Sequence, residues 1–414
     1  MASSFRMVQH IVNGCHTRDH IAATANGDDD TPKLSVKQYI PLDNPTPKPG
    51  DLTIIGAHAN GFPKEMYEPL WDDIYQCASQ SGIRIRSIWI ADMWNQGQSG
   101  ALNEKILGND PSWSDNARDI MNLINQKQDS MPHPIVGIGH SMGATQLSIL
   151  SLAHPRLLRS LVLLDPVIQI PNGSIPPAIS STPRRDIWPS REAAAARSRG
   201  SKFFQAWDPR VLDRWIEHGL RHVPTELHPA QDTEKDERVT LTTSKHQELF
   251  TFLRPTYREV PGEEYLDKDP VADEEYPGYP FYRPEPLQVF RRLPELRPSV
   301  LYIFGETSEL SPLEQREAKM ARTGTGVGGS GGAAAGRVKQ IVLDCGHLVA
   351  MERVTECADA VIGFLGSELE RWQQEKEEFE KYWKKQSRKE QITIDENWAN
   401  KVNPNAMRAE RTKL

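Results

Sequence analysis

An α/β fold with a mostly parallel sheet, helices on both faces and a largely helical insertion is what this 414-residue sequence predicts. Three observations carry the prediction. Short, nearly unbroken apolar runs alternate with stretches of helical period, as in parallel βαβ units whose strands are buried on both faces. The alternation stops between residues 169 and 294, where prolines, tryptophans and tyrosines accumulate. It then resumes with two more apolar runs, so the interruption reads as a cap inserted over one end of a single sheet.

Residues 1–33 are polar and turn-rich, with an acidic patch at Asp28, Asp29 and Asp30, and read as an N-terminal extension. Residues 34–40 (LSVKQYI) alternate apolar and polar side chains in the manner of an edge strand. The runs 52–57 (LTIIGA), 83–90 (IRIRSIWI), 135–138 (IVGI) and 161–164 (LVLL) are the next strands. Beyond the cap come 300–304 (VLYIF) and 338–343 (VKQIVL). Helical period fills 67–79, 116–126 and 145–152 between them. The expected divisions are therefore an extension 1–33, a first core segment 34–168, a cap 169–297, a second core segment 298–366 and a C-terminal stretch 367–414. Within the cap, 201–222 has helical character. Residues 367–389 form a charge-dense helix with a thin apolar stripe through Trp372, Phe379 and Trp383. It reads first as a solvated helix, with a homodimer contact as the alternative.

Residues 324–336 (GTGVGGSGGAAAG) read as a flexible low-complexity loop. They contain GxGxxG at Gly324, Gly326 and Gly329, but the pattern follows a helical stretch, 314–322, and opens no helix. A dinucleotide-binding turn must follow a strand and start a helix, so no cofactor is expected there. Composition excludes further classes. With 49 basic against 56 acidic residues the net charge is −7, which argues against general attraction to nucleic acid or anionic membrane. No apolar run approaches the roughly 18 residues of a membrane span, and MASSFRMVQHIVNG carries no apolar leader core, so export by that route is not expected. Cys15, Cys77, Cys345 and Cys357 lie far apart without CxxC pairs or a His/Cys cluster, and read as reduced thiols and not as a disulfide framework or metal site.

The strongest chemical signal is Gly139-His140-Ser141-Met142-Gly143, a G-x-S-x-G between a strand and a helix-forming run. In that setting the pattern makes a nucleophile elbow, a strained turn that lifts the Ser141 hydroxyl above the sheet beside a helix N-terminus. A serine hydroxyl needs a base to remove its proton. His347 follows Gly346 at the end of the last strand and is the expected base; His140 should point away from the serine as a packed residue, and His58 should shape its loop. Oxyanion donors are expected from the N–H of Met142 and from the loop 58–63, at Asn60 or else Ala59. Two carboxylates end strands near the base. Asp165 closes LVLLDP, whose strand lies beside its neighbour, and Glu309 lies in the turn GETSELSP; both remain candidates for the acid.

These residues resemble the α/β-hydrolase superfamily over nearly the whole chain outside its tails. More narrowly, HANGFPKE (58–65), GHSMGA (139–144), LLDP (163–166), GHLVAME (346–352) and the cap stretch WDPRVLDRWIEHGLR (207–221) are similar to fungal secondary-metabolism hydrolases. The resemblance implies the α/β-hydrolase fold and an Ser–acid–His order. It also implies an acid slot after the sixth sheet strand, where Gly305-Glu306-Thr307-Ser308-Glu309-Leu310-Ser311-Pro312 puts Ser308. In the narrower family the acid follows the earlier strand, which favours Asp165 over Glu309. The implied activity is peroxisomal cleavage of the thioester of a bulky, polyketide-type acyl-CoA, with no metal or redox cofactor.

Two further features bear on that activity. Thr412-Lys413-Leu414 is close to the S-K-L address read by the peroxisomal import receptor, and the alternative location is cytoplasmic. Residues 182–202 hold Arg184, Arg185, Arg191, Arg197, Arg199 and Lys202 against Asp186 and Glu192. This reads first as a solvated face, with CoA phosphates as the alternative partner. Trp188, Phe203, Phe204 and Trp207 are candidates for an acyl pocket beneath the cap, although cap packing explains them equally well. A carboxylester or lactone hydrolase would use the same residues, and a non-catalytic small-molecule binder could share the fold. A haloalkane- or epoxide-type hydrolase needs a carboxylate where Ser141 stands.

Overall fold

Parallel strands flanked by helices on both faces must be apolar on both sides, and Leu52–Ala57, Ile135–His140 and Ser160–Leu164 are buried at every position. The computed structural model describes residues 4–169, 175–231, 236–255 and 281–402. Its main sheet begins with β1 (Phe5–Asn13), β2 (Lys33–Pro41), β3 (Leu52–Ala57), β4 (Ile85–Ala91), β5 (Ile135–His140) and β6 (Ser160–Leu164). Five short strands follow in the cap: β7 (Ile187–Trp188), β8 (Leu220–His222), β9 (Val239–Leu241), β10 (Arg254–Pro255) and β11 (Phe281–Tyr282). The main sheet resumes with β12 (Ser299–Gly305) and β13 (Val338–Leu343). Spatial order is β1-β2-β4-β3-β5-β6-β12-β13. The pairs β1/β2 and β2/β4 are antiparallel, and all later pairs are parallel. This is the α/β-hydrolase fold.

Parallel strands that share a direction end at one edge of the sheet, and the turns after β3, β5, β6, β12 and β13 therefore gather there. The helix after β5, Met142–Ala153, is buried on nearly all sides and locks that turn into the core. The cap combines helices with a three-stranded antiparallel sheet in the order β7-β9-β8 and a two-stranded β10/β11 pair. Serine or aspartate caps start its helices at Ser190, Asp208 and Ser244, each side chain accepting a free backbone N–H. Several side-chain bonds tie the cap to the core: Asn95 Nδ2 donates to Gln247, Gly97 N–H to Thr243, and the Trp113 indole to the Thr251 carbonyl.

The structure departs from the sequence reading at four places. Residues 5–13 are a strand within the expected extension, hydrogen-bonded to β2 along its whole length. The alternation was obscured because an inward position holds His10, which stacks on Trp89 at 5.0 Å and bonds Gln38. Residues 34–40 are consequently an internal strand, with β1 at the edge. The helical stretch 201–222 is split into Lys202–Gln205 and Pro209–His218 and ends in β8, where Gly219 stops the helix. The glycine-rich loop is pinned: Gly324, Gly326 and Ser330 donate to the carbonyls of Leu293, Pro294 and Leu296. Glycine is needed there because a Cβ at Gly329 would stand 2.4 Å from the Pro294 carbonyl oxygen.

The chain divides into two compact units, Met1–Gly366 and Ser367–Leu414. The second carries stacked Phe379 and Trp383 rings 5.7 Å apart, both exposed. Thr412, Lys413 and Leu414 lie outside the described residues, as does the cap stretch 256–280. No helix among the described residues is long and apolar enough to cross a membrane.

Candidate active site

The turn after β5 is steric before it is chemical. A Cβ at Gly139 would lie 2.7 Å from the backbone of Ala144, and one at Gly143 would lie 2.3 Å from the Ala57 carbonyl oxygen. Only glycine at both places lets the chain turn so sharply from strand into helix against β3. Ser141 between them is forced to φ +56°, ψ −115°, a conformation that costs a non-glycine residue about 1–3 kcal/mol. Asp165, immediately after β6, has φ +39°. Among the described residues these two are the non-glycine positions in the left-handed half of conformational space, and surrounding backbone bonds impose the strain. Ser141 N–H donates to the Leu164 carbonyl at 2.9 Å, and Asp165 N–H to that of Ile303 at 2.8 Å.

His347, on the turn after β13, joins them. The Ser141 hydroxyl donates to its Nε2 at 2.8 Å, and its Nδ1–H donates to Asp165 Oδ2 at 2.6 Å. Asp165 is fully buried. Burial alone would raise its carboxyl pKa, but the bonds from His347 and Ser308 more than offset it and hold the group below the ordinary aspartate value. The Ser308 hydroxyl donates to Oδ2 at 2.5 Å and the Gly305 N–H to Oδ1 at 3.2 Å. Glu309 is exposed on the same turn and bonds neither the imidazole nor Asp165. Ser308 is thus a hydrogen-bond donor to Asp165, a contact missed in the sequence; its signal was a hydroxyl residue in the slot where the resemblance implies an aspartate.

The contact of Gly143 with the carbonyls of Ala57 and His58 places the loop after β3 beside the elbow. Within the described residues, the N–H groups of Met142 and Asn60 make no hydrogen bond, whereas the Ala59 N–H is taken by the Tyr67 hydroxyl at 2.8 Å. Between the two loop candidates the available donor is therefore Asn60. Its side chain is engaged elsewhere, with Nδ2 donating to the Glu248 carbonyl of the cap at 2.9 Å and Oδ1 accepting from Gln96 at 2.6 Å. His58 is buried in the loop, with Nδ1–H donating to the Ala59 carbonyl at 2.8 Å and Nε2 accepting from the Met93 N–H at 2.8 Å. Burial pushes its pKa down. His140 is fully buried and faces Tyr67 and the His347 carbonyl, not Ser141.

In the cap, Phe203, Phe204 and Trp207 form one edge-on ring cluster with centroids 4.8–5.4 Å apart. Phe62, from the loop after β3, meets Trp207 edge-on at 5.7 Å, and Asp208 N–H donates to the Met351 carbonyl just past His347. Trp188 is buried in β7. Of the six basic residues at 182–202, three have structural partners: Arg184 pairs with Glu248, Arg199 with Asp213, and Arg191 bonds the carbonyls that end the helix Pro209–His218. Arg185, Arg197 and Lys202 are exposed.

A model of the alpha/beta hydrolase family matches residues 54–360. The type I acyl-CoA thioesterase mpaH' of Penicillium brevicompactum is 40% identical over 97% of this chain and 96% of its own. The abhydrolase domain-containing protein ACTT2-1 of Alternaria alternata is 31% identical over 57% of this chain and 84% of its own. Among solved structures, the peroxisomal alpha-beta-hydrolase Lpx1 of Saccharomyces cerevisiae covers 87% of this chain and 89% of its own with a TM-score of 0.62. At 18% identity that is a likeness of fold.

Proposed function

The chain belongs to the alpha/beta hydrolase family, and on that premise we propose that it is a serine hydrolase cleaving the thioester of a bulky acyl-CoA through an acyl-enzyme. The observation that carries the reading is the unbroken line of hydrogen bonds from Ser141 through His347 to Asp165. His347 Nε2 takes the serine proton as Oγ attacks the thioester carbonyl. The negative oxygen that forms is received by the N–H groups of Met142 and Asn60, which are fixed in place beforehand. The C–S bond then breaks, and CoA leaves as a thiol with the proton from His347. Water, deprotonated by the same imidazole, cleaves the acyl-serine and releases the carboxylic acid. Asp165 keeps Nδ1 protonated and supports the imidazolium at each step.

The thioester, as against an oxygen ester, is favoured by the extent of identity to a named acyl-CoA thioesterase. A bulky acyl group, of the polyketide type found in secondary metabolism, suits the ring cluster of Phe62, Phe203, Phe204 and Trp207. Arg185, Arg197 and Lys202 are the basic residues of their segment left for the phosphates of CoA.

The test is turnover of an acyl-CoA panel and of matched oxygen esters by the wild type and by Ser141→Ala. The expected result is preference for thioesters and a loss of about four orders of magnitude or more in kcat for the variant. Faster cleavage of the oxygen esters would transfer the reading to a carboxylester or lactone hydrolase. Failure of a fluorophosphonate to label Ser141 in the folded protein would make it a small-molecule binder with this fold.

A further inference from the structure

Behind Ser141 and His347 runs a second chain of hydrogen bonds, buried and unused by the steps above. The Ala59 N–H donates to the Tyr67 hydroxyl at 2.8 Å, that hydroxyl lies 2.9 Å from His140 Nδ1, and His140 Nε2 lies 3.1 Å from the His347 carbonyl oxygen. Tyr67 is 2% exposed and His140 is inaccessible. The proton order follows from the chemistry of the ends. A carbonyl oxygen only accepts, so His140 Nε2 must carry a proton and donate to His347. Its imidazole is neutral, because burial, aided by the neighbouring His347, pushes its pKa down to about 3. Nδ1 therefore accepts, the Tyr67 O–H donates to it, and the phenol oxygen is left to accept from Ala59. One arrangement of protons satisfies every polar atom in the chain.

The two ends of this chain lie on two separate backbone segments of the site. At one end is the backbone of the base. At the other is the peptide next to the oxyanion donor: the Ala59 carbonyl is held by His58 Nδ1–H at 2.8 Å and by Phe62 N–H at 3.2 Å. In a planar trans peptide the N–H points opposite to the C=O, so fixing the Ala59 carbonyl fixes the direction of the Asn60 N–H. With the Ala59 N–H also anchored on Tyr67, both flanks of Ala59 are set.

We propose that Tyr67 and His140 are positioning residues that couple the base to the oxyanion loop, so that the proton acceptor and the Asn60 donor are held in register as one unit. Neither touches the reacting atoms. The proposal rests on the serine hydrolase reading and adds to it a requirement that the triad alone does not impose. An error of about 1 Å in such a register costs on the order of 10²-fold in rate.

The experiment measures fluorophosphonate labelling of Ser141 and acyl-CoA turnover in the wild type, Tyr67→Phe, His140→Asn and the double variant. His140→Asn keeps a group near the Nδ1 position and loses the bond to His347; Tyr67→Phe loses the opposite link. Each single variant is expected to lose tenfold or more in labelling rate and in kcat with KM within twofold. The double variant is expected to lose little more than the worse single one, because either cut breaks the same chain. Near-ultraviolet circular dichroism restricts the comparison to folded protein, and His140→Gln, which keeps a donor toward the His347 carbonyl, should recover part of the loss. Labelling of both single variants at the wild-type rate would overturn the coupling while leaving the serine hydrolase standing. Losses that multiply in the double variant would also overturn it, since two independent packing defects behave that way. An unlabelled wild type would take down both.

Discussion

Strands β6 and β12 lie side by side and run in the same direction, so the turns that follow them approach one imidazole from adjacent positions, about 5 Å apart. The first ends in Asp165, which is buried and takes the His347 Nδ1–H. The second ends in a turn with Ser308 buried and Glu309 exposed. The charge is on one strand end and the hydroxyl on the other, and the hydroxyl donates to the charge. A carboxylate in this site need not come from a particular strand. It needs a strand end within reach of the imidazole and enough donors to stay ionised when buried, and here the neighbouring turn supplies two of them, Ser308 and the Gly305 N–H.

Neutralising the carboxylate at each strand end in turn separates their roles most clearly. Asp165→Asn leaves the shape intact but replaces an acceptor-only group with an amide that can stabilise the wrong imidazole tautomer. A loss of about 10⁴-fold in kcat is expected. Glu309→Gln is expected to stay within twofold, because that side chain points to solvent. Steady-state kinetics on one acyl-CoA substrate checks both. If the two results were exchanged, the acid would belong to β12 after all.

The same contrast explains what the sequence made legible. The elbow could be read directly because its causes are local: Gly139 and Gly143 stand two residues either side of Ser141, and the strand and helix around them have strong patterns. Asp165 was legible only as one of two candidates, since the choice depends on which strands are neighbours, and β6 and β12 are separated by the whole cap. The bond from Ser308 to Asp165 spans 143 residues and that from Tyr67 to His140 spans 73, so no spacing rule could find them. β1 went unseen because His10 occupies an inward position where the strand pattern calls for an apolar side chain. In the cap, β7, β8 and β9 pair across long loops with two or three residues each, too few for any periodicity to form.

A smaller effect lies beside the end of β12. Lys319, on the helix Leu313–Arg322, is completely buried beside Phe304 of β12, its ammonium 5.7 Å from that ring and without a hydrogen bond among the described residues. Desolvation pulls its pKa from 10.5 down to about 8, even though the charge of Asp165 acts in the opposite direction. A group whose folded pKa lies below its unfolded value binds more protons when unfolded, so stability rises with pH between about 8 and 10.5. Below that window the penalty is fully present. Lys319→Met is therefore expected to stabilise the fold at pH 7 by about 1–3 kcal/mol, the upper figure reduced by the lost contact with Phe304. It should also flatten the rise toward pH 10. Urea unfolding at both pH values checks it.

Ser308→Ala removes the help that one strand end gives the other while leaving Asp165 in place. Asp165 keeps the bonds from His347 and Gly305, so the loss in kcat/KM is expected to be about three- to tenfold, the scale of one hydrogen bond to a charged group partly replaced by water. The sign of the pH effect follows from the same bond. With its folded pKa below the ordinary 3.8, Asp165 contributes stability that is present above that value and is lost as pH falls through the folded one. Removing the Ser308 donor raises the folded pKa toward 3.8, so Asp165 contributes less stability above that value, and the acid-unfolding midpoint should move upward. Ser308→Asp should do more harm than alanine, since a second carboxylate beside Asp165 would compete with it for a proton. An alanine variant with unchanged kcat/KM and an unchanged acid midpoint would reduce Ser308 to an ordinary turn residue, and Asp165 would then owe its ionised state chiefly to His347.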